Sequence, residues 1–411
     1  MINLPHEKCY GCRACLNACP KDAISMPEDE YGFTYPKVDY NKCIQCGLCI
    51  KACPELNSYT LHTPNQVLAL EPISYEVKEK SASGGLASVL SSYIISIGGV
   101  VYGCCEENYK SIGHIRVNQL EDLPKLQSSK YVHSDIRLTY KEARQDLITG
   151  KTVLFTGTPC QISGLFRFLG KDYENLITMD LVCHGVPPLR MLIQQVESYP
   201  EINHLDSDKV NVEFRWKEKQ FSTDTLQIYF GMRLKYFKDN SEEIILQENP
   251  VENAYMRSFL TELSLRENCY SCPYACKERI ADITAADFWG LGSIIPSDLN
   301  AQSGVSLALI NTKKGGKIFE EIKDKFTVHE QSFEQATLRN RCLTRPYNKP
   351  YLRSKFLSYY TRYGLVEGMR KLDPIHHLEK NTIIRLLRKN KVGNLGVRVI
   401  FKIIRKIKKL K

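Results

Sequence analysis

The chain has 411 residues, of which 43% are hydrophobic and 25% are charged, as is ordinary for a globular protein of two or three domains. Its net charge of +10 is concentrated at one end, because residues 381–411 carry eleven basic and no acidic side chains, which leaves 45 basic and 46 acidic residues elsewhere. This balance gives no support for a nucleic-acid-binding protein, and the lack of any run of 18 apolar residues argues against a transmembrane helix.

The first residues show no basic segment followed by an apolar one, so we expect no signal peptide. Sixteen cysteines in such a chain are typical of metal ligands in a reducing compartment rather than of disulfides. We therefore expect a cytoplasmic protein.

Two cysteine runs lie in the first 60 residues and repeat at an offset of 34 residues. They read Cys9-x2-Cys12-x2-Cys15-x3-Cys19-Pro20 and Cys43-x2-Cys46-x2-Cys49-x3-Cys53-Pro54. This spacing is typical of bacterial ferredoxins with two [4Fe–4S] clusters, in which the fourth cysteine of each run binds the other cluster. We predict one cluster on Cys9, Cys12, Cys15 and Cys53, a second on Cys43, Cys46, Cys49 and Cys19, and a ferredoxin-like domain over residues 1–60. A pair of zinc sites is the alternative, although zinc usually takes two separated cysteine pairs.

Residues 57–75 carry two prolines and little periodicity, and we interpret them as a linker. A second domain is predicted over residues 75–345. Its first helix has apolar residues at helical spacing from Leu86 to Ile97, ends at Gly98-Gly99 and is followed by a strand. Strands are also predicted at 152–156 and 176–182, with a helix at 162–169 between them, and the alternation over 209–247 predicts antiparallel strands. The fold class is therefore mixed α/β, preceded by the ferredoxin-like domain.

A third cysteine group, Cys269-x2-Cys272-x3-Cys276, needs a fourth partner to close a cluster or a zinc site. We favour Cys183, because it follows a predicted strand beside a Gly-Pro turn, where side chains converge. The other candidates for this position are Cys104, Cys105, Cys160 and Cys342. A third [4Fe–4S] cluster, a structural zinc and uncoordinated thiols all remain open.

Two loops in the second domain have residues suited to a ligand. Ser81-Ala82-Ser83-Gly84-Gly85 precedes a predicted helix, where backbone N–H groups bind anions, but a serine cap with tightly packed glycines is the favoured alternative. Gly157-Thr158-Pro159-Cys160-Gln161 joins a strand to a helix and is either a ligand-binding loop or a simple turn.

Together these motifs resemble the beta subunit of coenzyme F-420-reducing hydrogenase and its dehydrogenase relatives. The resemblance covers residues 75 to about 315, and its motifs lie at residues 81–85, 129–131, 150–161, 180–187, 269–276 and 282–290. It implies an α/β flavin-binding domain with FAD next to an iron–sulfur cluster. By match of motif it places the FAD contacts on Ser83, Gly84, Gly85, Lys130, Thr158, Pro159 and Gln161, and the third cluster on Cys269, Cys272 and Cys276 with Cys183.

The resemblance implies an oxidoreductase that passes electrons between its clusters, FAD and a small hydride donor or acceptor. That partner is the deazaflavin coenzyme F-420 or an organic substrate, and some relatives lie in surface-polysaccharide loci. The alternative is an electron-relay subunit that serves a redox protein or a larger oxidoreductase and has no substrate site of its own. No catalytic residue is assigned.

Residues 346–411 have no counterpart in these motifs and are predicted to form a helical, basic C-terminal extension. Ile400, Ile403, Ile404 and Ile407 form an apolar stripe surrounded by lysine and arginine. Such a segment suits an anionic membrane face at the cytoplasmic side, an acidic protein, or a solvated tail.

Overall fold

The computed structural model describes residues 1–219, 226–238 and 241–372. The chain divides into two compact units, Met1–Arg353 and Ser354–Lys411. The basic segment 381–411, with its predicted membrane contact, lies outside the described residues. None of the helices within the described ranges is long and apolar enough to cross a membrane.

The helices in chain order are α1 Ala14–Ala18, α2 Leu48–Lys51, α3 Tyr75–Lys80, α4 Leu86–Ser96, α5 Thr139–Ile148, α6 Pro159–Leu169, α7 Leu189–Glu197, α8 Ala254–Leu260, α9 Lys313–Glu320, α10 Phe333–Thr337, α11 Arg353–Tyr363 and α12 Leu365–Leu372. Short 3-10 helices cover His6–Lys8, Leu120–Leu126, Pro200–His204, Ser207–Lys209, Glu267–Ser271, Lys323–Lys325 and Arg341–Leu343. The strands are β1 Ile24–Ser25, β2 Lys37–Val38, β3 Gln66–Pro72, β4 Val100–Asn108, β5 Ser111–Val117, β6 Val153–Gly157, β7 Leu176–Leu181, β8 Val210–Lys219, β9 Leu226–Lys238, β10 Ser241–Glu248, β11 Ile283–Asp287, β12 Ser306–Ile310 and β13 Phe326–Glu330.

Within the described residues, eight strands form the main sheet in the order β13-β3-β12-β11-β7-β6-β4-β5. The pairs β4–β6, β6–β7 and β7–β11 are parallel, and the outer pairs are antiparallel. The remaining strands form the antiparallel sheet β10-β9-β8 and the small pair β1-β2. The predicted mixed α/β class with an N-terminal ferredoxin-like unit is confirmed.

Both faces of the main sheet are buried. Val101, Leu154 and Ile177 share a core cluster with the apolar side of α4. Their neighbours Val100 and Val153 share the opposite cluster with α5 and α6. Because strand side chains alternate between faces, strands covered on both sides have nearly continuous apolar sequences.

The predicted helix at residues 86–97 is confirmed as α4, and the strand–loop–helix prediction around residue 157 is confirmed as β6 and α6. The interpretation of residues 57–75 as a linker is wrong. Residues Gln66–Pro72 form β3, which pairs with both β12 and β13. Pro72 is tolerated because it is the last residue of the strand, and the short apolar run before it is buried in the sheet.

Candidate metal and cofactor sites

The first cysteine group surrounds a void of about 330 Å³ that opens to solvent. Its lining includes the four cysteines predicted to share a cluster: Cys9, Cys12, Cys15 and Cys53. Positive φ angles at Gly11 (68°) and Arg13 (58°) bend the backbone on either side of Cys12. Helix α1 then carries Cys15, and Cys53 arrives from the second repeat. The fold thus brings together residues that are up to 44 positions apart in the chain.

The second group surrounds a void of about 370 Å³, whose lining includes Cys19, Cys43, Cys46 and Cys49. The same two backbone positions of the repeat have positive φ angles, here at Gln45 (55°) and Gly47 (74°). Cys46 is exposed, whereas Cys9, Cys12, Cys15 and Cys53 of the first group are buried. The second group therefore lies at the surface and the first group lies inside.

The cysteines of each group stand around a void rather than converging on one point. Among the described residues, no three His, Cys, Asp or Glu side chains are placed to hold a single metal ion, and all sixteen cysteines are free of disulfides. A zinc ion needs its four ligands about 2.3 Å from a common centre, whereas in a cube each sulfur binds a different iron.

Burial keeps three thiols of the first group, those of Cys12, Cys15 and Cys53, protonated in the absence of metal. It raises the pKa of Cys15 to about 12 and raises the pKa of Cys12 and Cys53 as well. Because iron binds the thiolate, loading this group releases protons.

A third void, of about 490 Å³, is lined by five cysteines: Cys160, Cys183, Cys269, Cys272 and Cys342. The sequence predicted three of them as ligands, namely Cys183, Cys269 and Cys272. Cys160 and Cys342 were candidates for the fourth partner. Burial raises the pKa of Cys269 to about 12.

Cys276, the remaining predicted ligand, does not line this void. Its thiol lies 3.2 Å from the carbonyl oxygens of Pro273 and Glu278. The buried Arg279 guanidinium donates to the carbonyls of Tyr274 and Cys276 and forms an ion pair with Asp180 at 3.2 Å. These bonds hold the Cys276 backbone toward the sheet, and the role of Cys276 as a ligand stays a prediction.

The third void lies at the carboxyl edge of the parallel strands. Thr158 and Cys160 follow β6 directly, and Cys183 follows β7. Since parallel strands end at the same edge, their connecting loops meet there, as in other open α/β sheets.

Six of the seven predicted FAD-contact residues form two groups at this same edge. Thr158, Pro159 and Gln161 start α6, with Thr158 and Gln161 in a capping box and Pro159 in the first turn. Ser83, Gly84 and Gly85 lead into α4, and the Ser83 hydroxyl donates to the Val305 carbonyl just before β12. Lys130 stands in the loop after the 3-10 helix Leu120–Leu126.

Many polar atoms of these residues bond within the protein. The Lys130 ammonium donates to the carbonyls of Gln127 and Ser128. The buried Gln161 amide donates to the Ser134 carbonyl at 3.0 Å. A side chain at Gly84 would meet the Ser306 backbone at 2.3 Å, so this glycine is required by packing. The FAD-contact assignments stay predictions.

Two residues beside the voids, Tyr10 and Arg266, were not predicted from the sequence. Tyr10 lines both the first and the third void. Arg266 lines the third void, and its Nε donates to the Cys9 carbonyl at 2.7 Å. The Cys9–Arg266 bond joins residues 257 positions apart, so no local pattern reveals it.

Residues 150–336 match the family model for the C terminus of the coenzyme F420 hydrogenase/dehydrogenase beta subunit. Residues 8–56 match the model of the 4Fe-4S dicluster domain. No curated protein matches the chain. Among solved structures, the chain is similar to one in the F420-reducing [NiFe] hydrogenase complex from Methanosarcina barkeri, with 17% identity, 78% of this chain and 94% of that chain covered, and a TM-score of 0.40.

The two family matches cover the N-terminal cysteine runs and the motifs at residues 150–161, 180–187, 269–276 and 282–290, whereas the motifs at residues 81–85 and 129–131 lie outside them. The matches identify an iron–sulfur, electron-transferring oxidoreductase. The chain is therefore related to the family of coenzyme F420 hydrogenase/dehydrogenase beta subunits over residues 150–336 and carries a 4Fe–4S dicluster domain at its N-terminus.

Proposed function

We propose that this oxidoreductase passes electrons one at a time from a redox protein through its two N-terminal clusters to a third cluster. Bound FAD would then let the protein exchange hydride with a small organic partner such as a deazaflavin. The proposed electron route is supported by one observation. Tyr10 lines both the first and the third cysteine-lined void, so the two candidate centres are adjacent.

The second cysteine group is the proposed entry point for electrons. Cys46 is exposed, and Ile44, Leu48 and Ile50 around it have exposures of 57%, 42% and 38%. An apolar surface around a cluster lets a redox protein approach closely without burying many charges. Electrons would then move inward to the buried first group.

We propose Cys160, Cys183, Cys269 and Cys272 as ligands of the third cluster. Cys160 lies in the first turn of α6, where backbone N–H groups favour a thiolate, and its Sγ is 3.2 Å from the Thr158 hydroxyl. The Cys160 thiol also raises the pKa of Cys183, Cys269 and Cys272, as a close neighbour does. It therefore suits the fourth position better than Cys276.

This ligand set is tested by iron content. Anaerobically purified Cys160→Ala protein is expected to lose about one third of its iron, because each of three clusters holds four irons. Cys276→Ala is the matched control and should keep its iron. The reverse result would return the fourth position to Cys276.

The FAD part of the proposal is supported by the family match and by the position of the 83–85 and 158–161 loops at the carboxyl edge, where Thr158 and Pro159 line the third void. FAD supplies the exchange between single-electron steps and hydride transfer, which clusters alone do not perform. The role of this chain would be to hold the ring beside the third centre and to leave one face open to the hydride partner.

Flavin released by heating the anaerobically purified protein tests this part. We expect close to one FAD per chain, together with bleaching of the flavin absorbance on reduction. An iron-replete protein without flavin would overturn it.

The second candidate function is an electron-relay subunit without a substrate site of its own. It is favoured by the internal bonding of the Lys130 ammonium and the Gln161 amide, two of the predicted flavin contacts. In that case electrons would leave through a partner protein, and the purified chain would carry iron but no flavin.

A further inference from the structure

Arg266 is a fully buried cation whose guanidinium, within the described part of the chain, bonds only to neutral groups. Its exposure is 0%. Its Nε donates to the Cys9 carbonyl at 2.7 Å and its Nη2 donates to the Thr34 carbonyl at 2.9 Å, while its Nη1 has no hydrogen-bond partner among the described residues. The guanidinium also lies over the Tyr35 ring, with 4.3 Å from its central carbon to the ring centroid.

Other buried arginines in the described part of the chain have carboxylate partners. Arg279 pairs with Asp180 at 3.2 Å, Arg215 with Asp287 at 2.5 Å and Arg353 with Glu267 at 3.3 Å. No ion pair within 4.0 Å joins Arg266 to any Asp or Glu of the described residues. A buried charge without a counter-charge is strongly unfavourable, so this position calls for an anion that the polypeptide itself does not provide.

The position of the guanidinium indicates where that anion lies. Arg266 lines the third void and binds the backbone of Cys9, which lines the first void. A side chain at Gly11, between Cys9 and Cys12, would lie 2.9 Å from Arg266 Nη1. The unpartnered nitrogen therefore faces the first cysteine loop from the side of the third void.

We propose that Arg266 is the shared counter-charge of the first and third clusters and raises the reduction potential of both. The inference rests on the proposed function, in which both voids hold [4Fe–4S] clusters. A cube held by four thiolates is an anion, and reduction adds one electron and hence one further negative charge. A buried cation at this site stabilises the reduced form more than the oxidised form, because the attraction between unit charges is weakly screened there.

The test is a redox titration with sodium dithionite, a one-electron reductant, followed by electron paramagnetic resonance of the reduced clusters. In Arg266→Gln, we expect the equilibrium constant for reduction of the affected clusters to fall at least tenfold, which is 59 mV for one electron. Arg266→Lys keeps the charge and should stay within about threefold of the natural protein, or 28 mV on the same scale. Equal shifts in the two variants would show that the guanidinium contacts, and not its charge, set the potential.

Arg353→Gln is the matched control. Arg353 is also buried, and its charge, like that of Arg266, opposes the rise that burial causes in the pKa of Cys269; however, it has Glu267 as a partner, and Lys349 pairs with the same carboxylate. Its neutralisation should shift the potentials much less than that of Arg266. The second cluster is an internal reference, because Arg266 does not line its void.

If Arg266→Gln does not fold, Asn268→Asp provides a second test of the effect of charge on the third cluster. Asn268 lines the third void with Arg266, is 7% exposed, and has an Oδ1 that no other described residue bonds. Asn268→Asp supplies a carboxylate of the same shape and leaves the Arg266 contacts in place, so it should also lower the potential of the third cluster. Potentials of Asn268→Asp equal to those of the natural protein would overturn the inference.

Iron and sulfide assays on every variant separate the two levels of the proposal. A natural protein without clusters contradicts the proposed function. A natural protein with clusters whose potentials are unmoved by Arg266→Gln contradicts only the role of Arg266.

Discussion

Gly11, in the first cysteine loop, has no room for a side chain without a shift of its neighbours. A Cβ there would lie 2.6 Å from His133 Cε1 and 2.9 Å from Arg266 Nη1. We expect Gly11→Ala to lower the free energy of unfolding by about 2–4 kcal/mol, since overlap in a packed interior adds to the cost of a left-handed backbone. The urea midpoint of the anaerobic protein and its iron content are the measurements.

Gly47→Ala is the control for Gly11→Ala. Gly47 has a similar φ of +74° in the second loop, but a Cβ there would meet nothing within 4 Å. Its replacement should therefore show the backbone cost alone, about 1–2 kcal/mol. Equal losses in the two variants would mean that Arg266 and His133 do not restrict Gly11.

The cysteine ligands of the first two groups were predictable from the sequence, because a cluster takes most of its ligands from one short loop. The two cysteine runs predicted which thiols share a void, including the exchange of Cys19 and Cys53. Arg266 was not predictable, because its bonds reach 257 and 232 positions along the chain. The position of Cys276 was not predictable either, because it depends on the bond from Arg279 to the Cys276 carbonyl and on the ion pair between Arg279 and the buried Asp180.

At the scale of elements, His114 ties β5 to β6 across the intervening strand β4. Its Nε2 lies 2.8 Å from the Thr156 carbonyl, and its Nδ1 lies 2.7 Å from the Ser134 hydroxyl. Burial lowers the pKa of His114 to about 4; the bond to Thr156 opposes this, and the nearby charges of Arg137 and Lys130 add to it. The imidazole is therefore neutral in the folded protein, and its Nε2–H donates to Thr156.

This lowered pKa predicts a loss of stability in mild acid. Between pH 6.5 and about 4, the unfolded chain binds a proton on this histidine that the folded chain does not bind, so stability falls as the pH falls through that window. The full effect is about 3 kcal/mol. Urea midpoints measured from pH 8 to pH 5 should fall more steeply for the natural protein than for His114→Gln. Parallel curves would contradict a neutral, buried His114.

Elements with strong periodicity were predictable, and short buried ones were not. The apolar stripe of α4 and its Gly-Gly end give a helix whose bounds agree with the prediction within one residue. Strand β3 was missed, because Pro64 and Pro72 flank a run too short to show alternation. Its identity depends on pairing with β12 and β13, which lie more than 230 residues later in the chain.

At the scale of the molecule, the ferredoxin-like unit shares a hydrophobic core with the α/β sheet. Tyr10, Ala14 and Ala52 belong to the same buried cluster as Ile162 and Leu165 of α6. The Asn17 amide also donates to the Arg137 carbonyl at 2.9 Å. The sequence shows residues 1–60 as a repeat complete in itself, and the contacts that join it to the sheet are visible only in the fold.

This shared core predicts that the α/β part depends on the N-terminal unit for its stability. A chain of residues 61–411 would expose the α5–α6 face, and we expect it to lose about 5 kcal/mol or more, since each buried apolar side chain contributes about 1.5–3 kcal/mol. It should also bind the dye ANS, which reports exposed apolar surface. The control is a chain of residues 1–372, which keeps the whole shared core and should unfold at the urea concentration of the full chain. If residues 61–411 unfold at that same concentration, the two parts are independent and electrons cross a loose contact rather than a packed one.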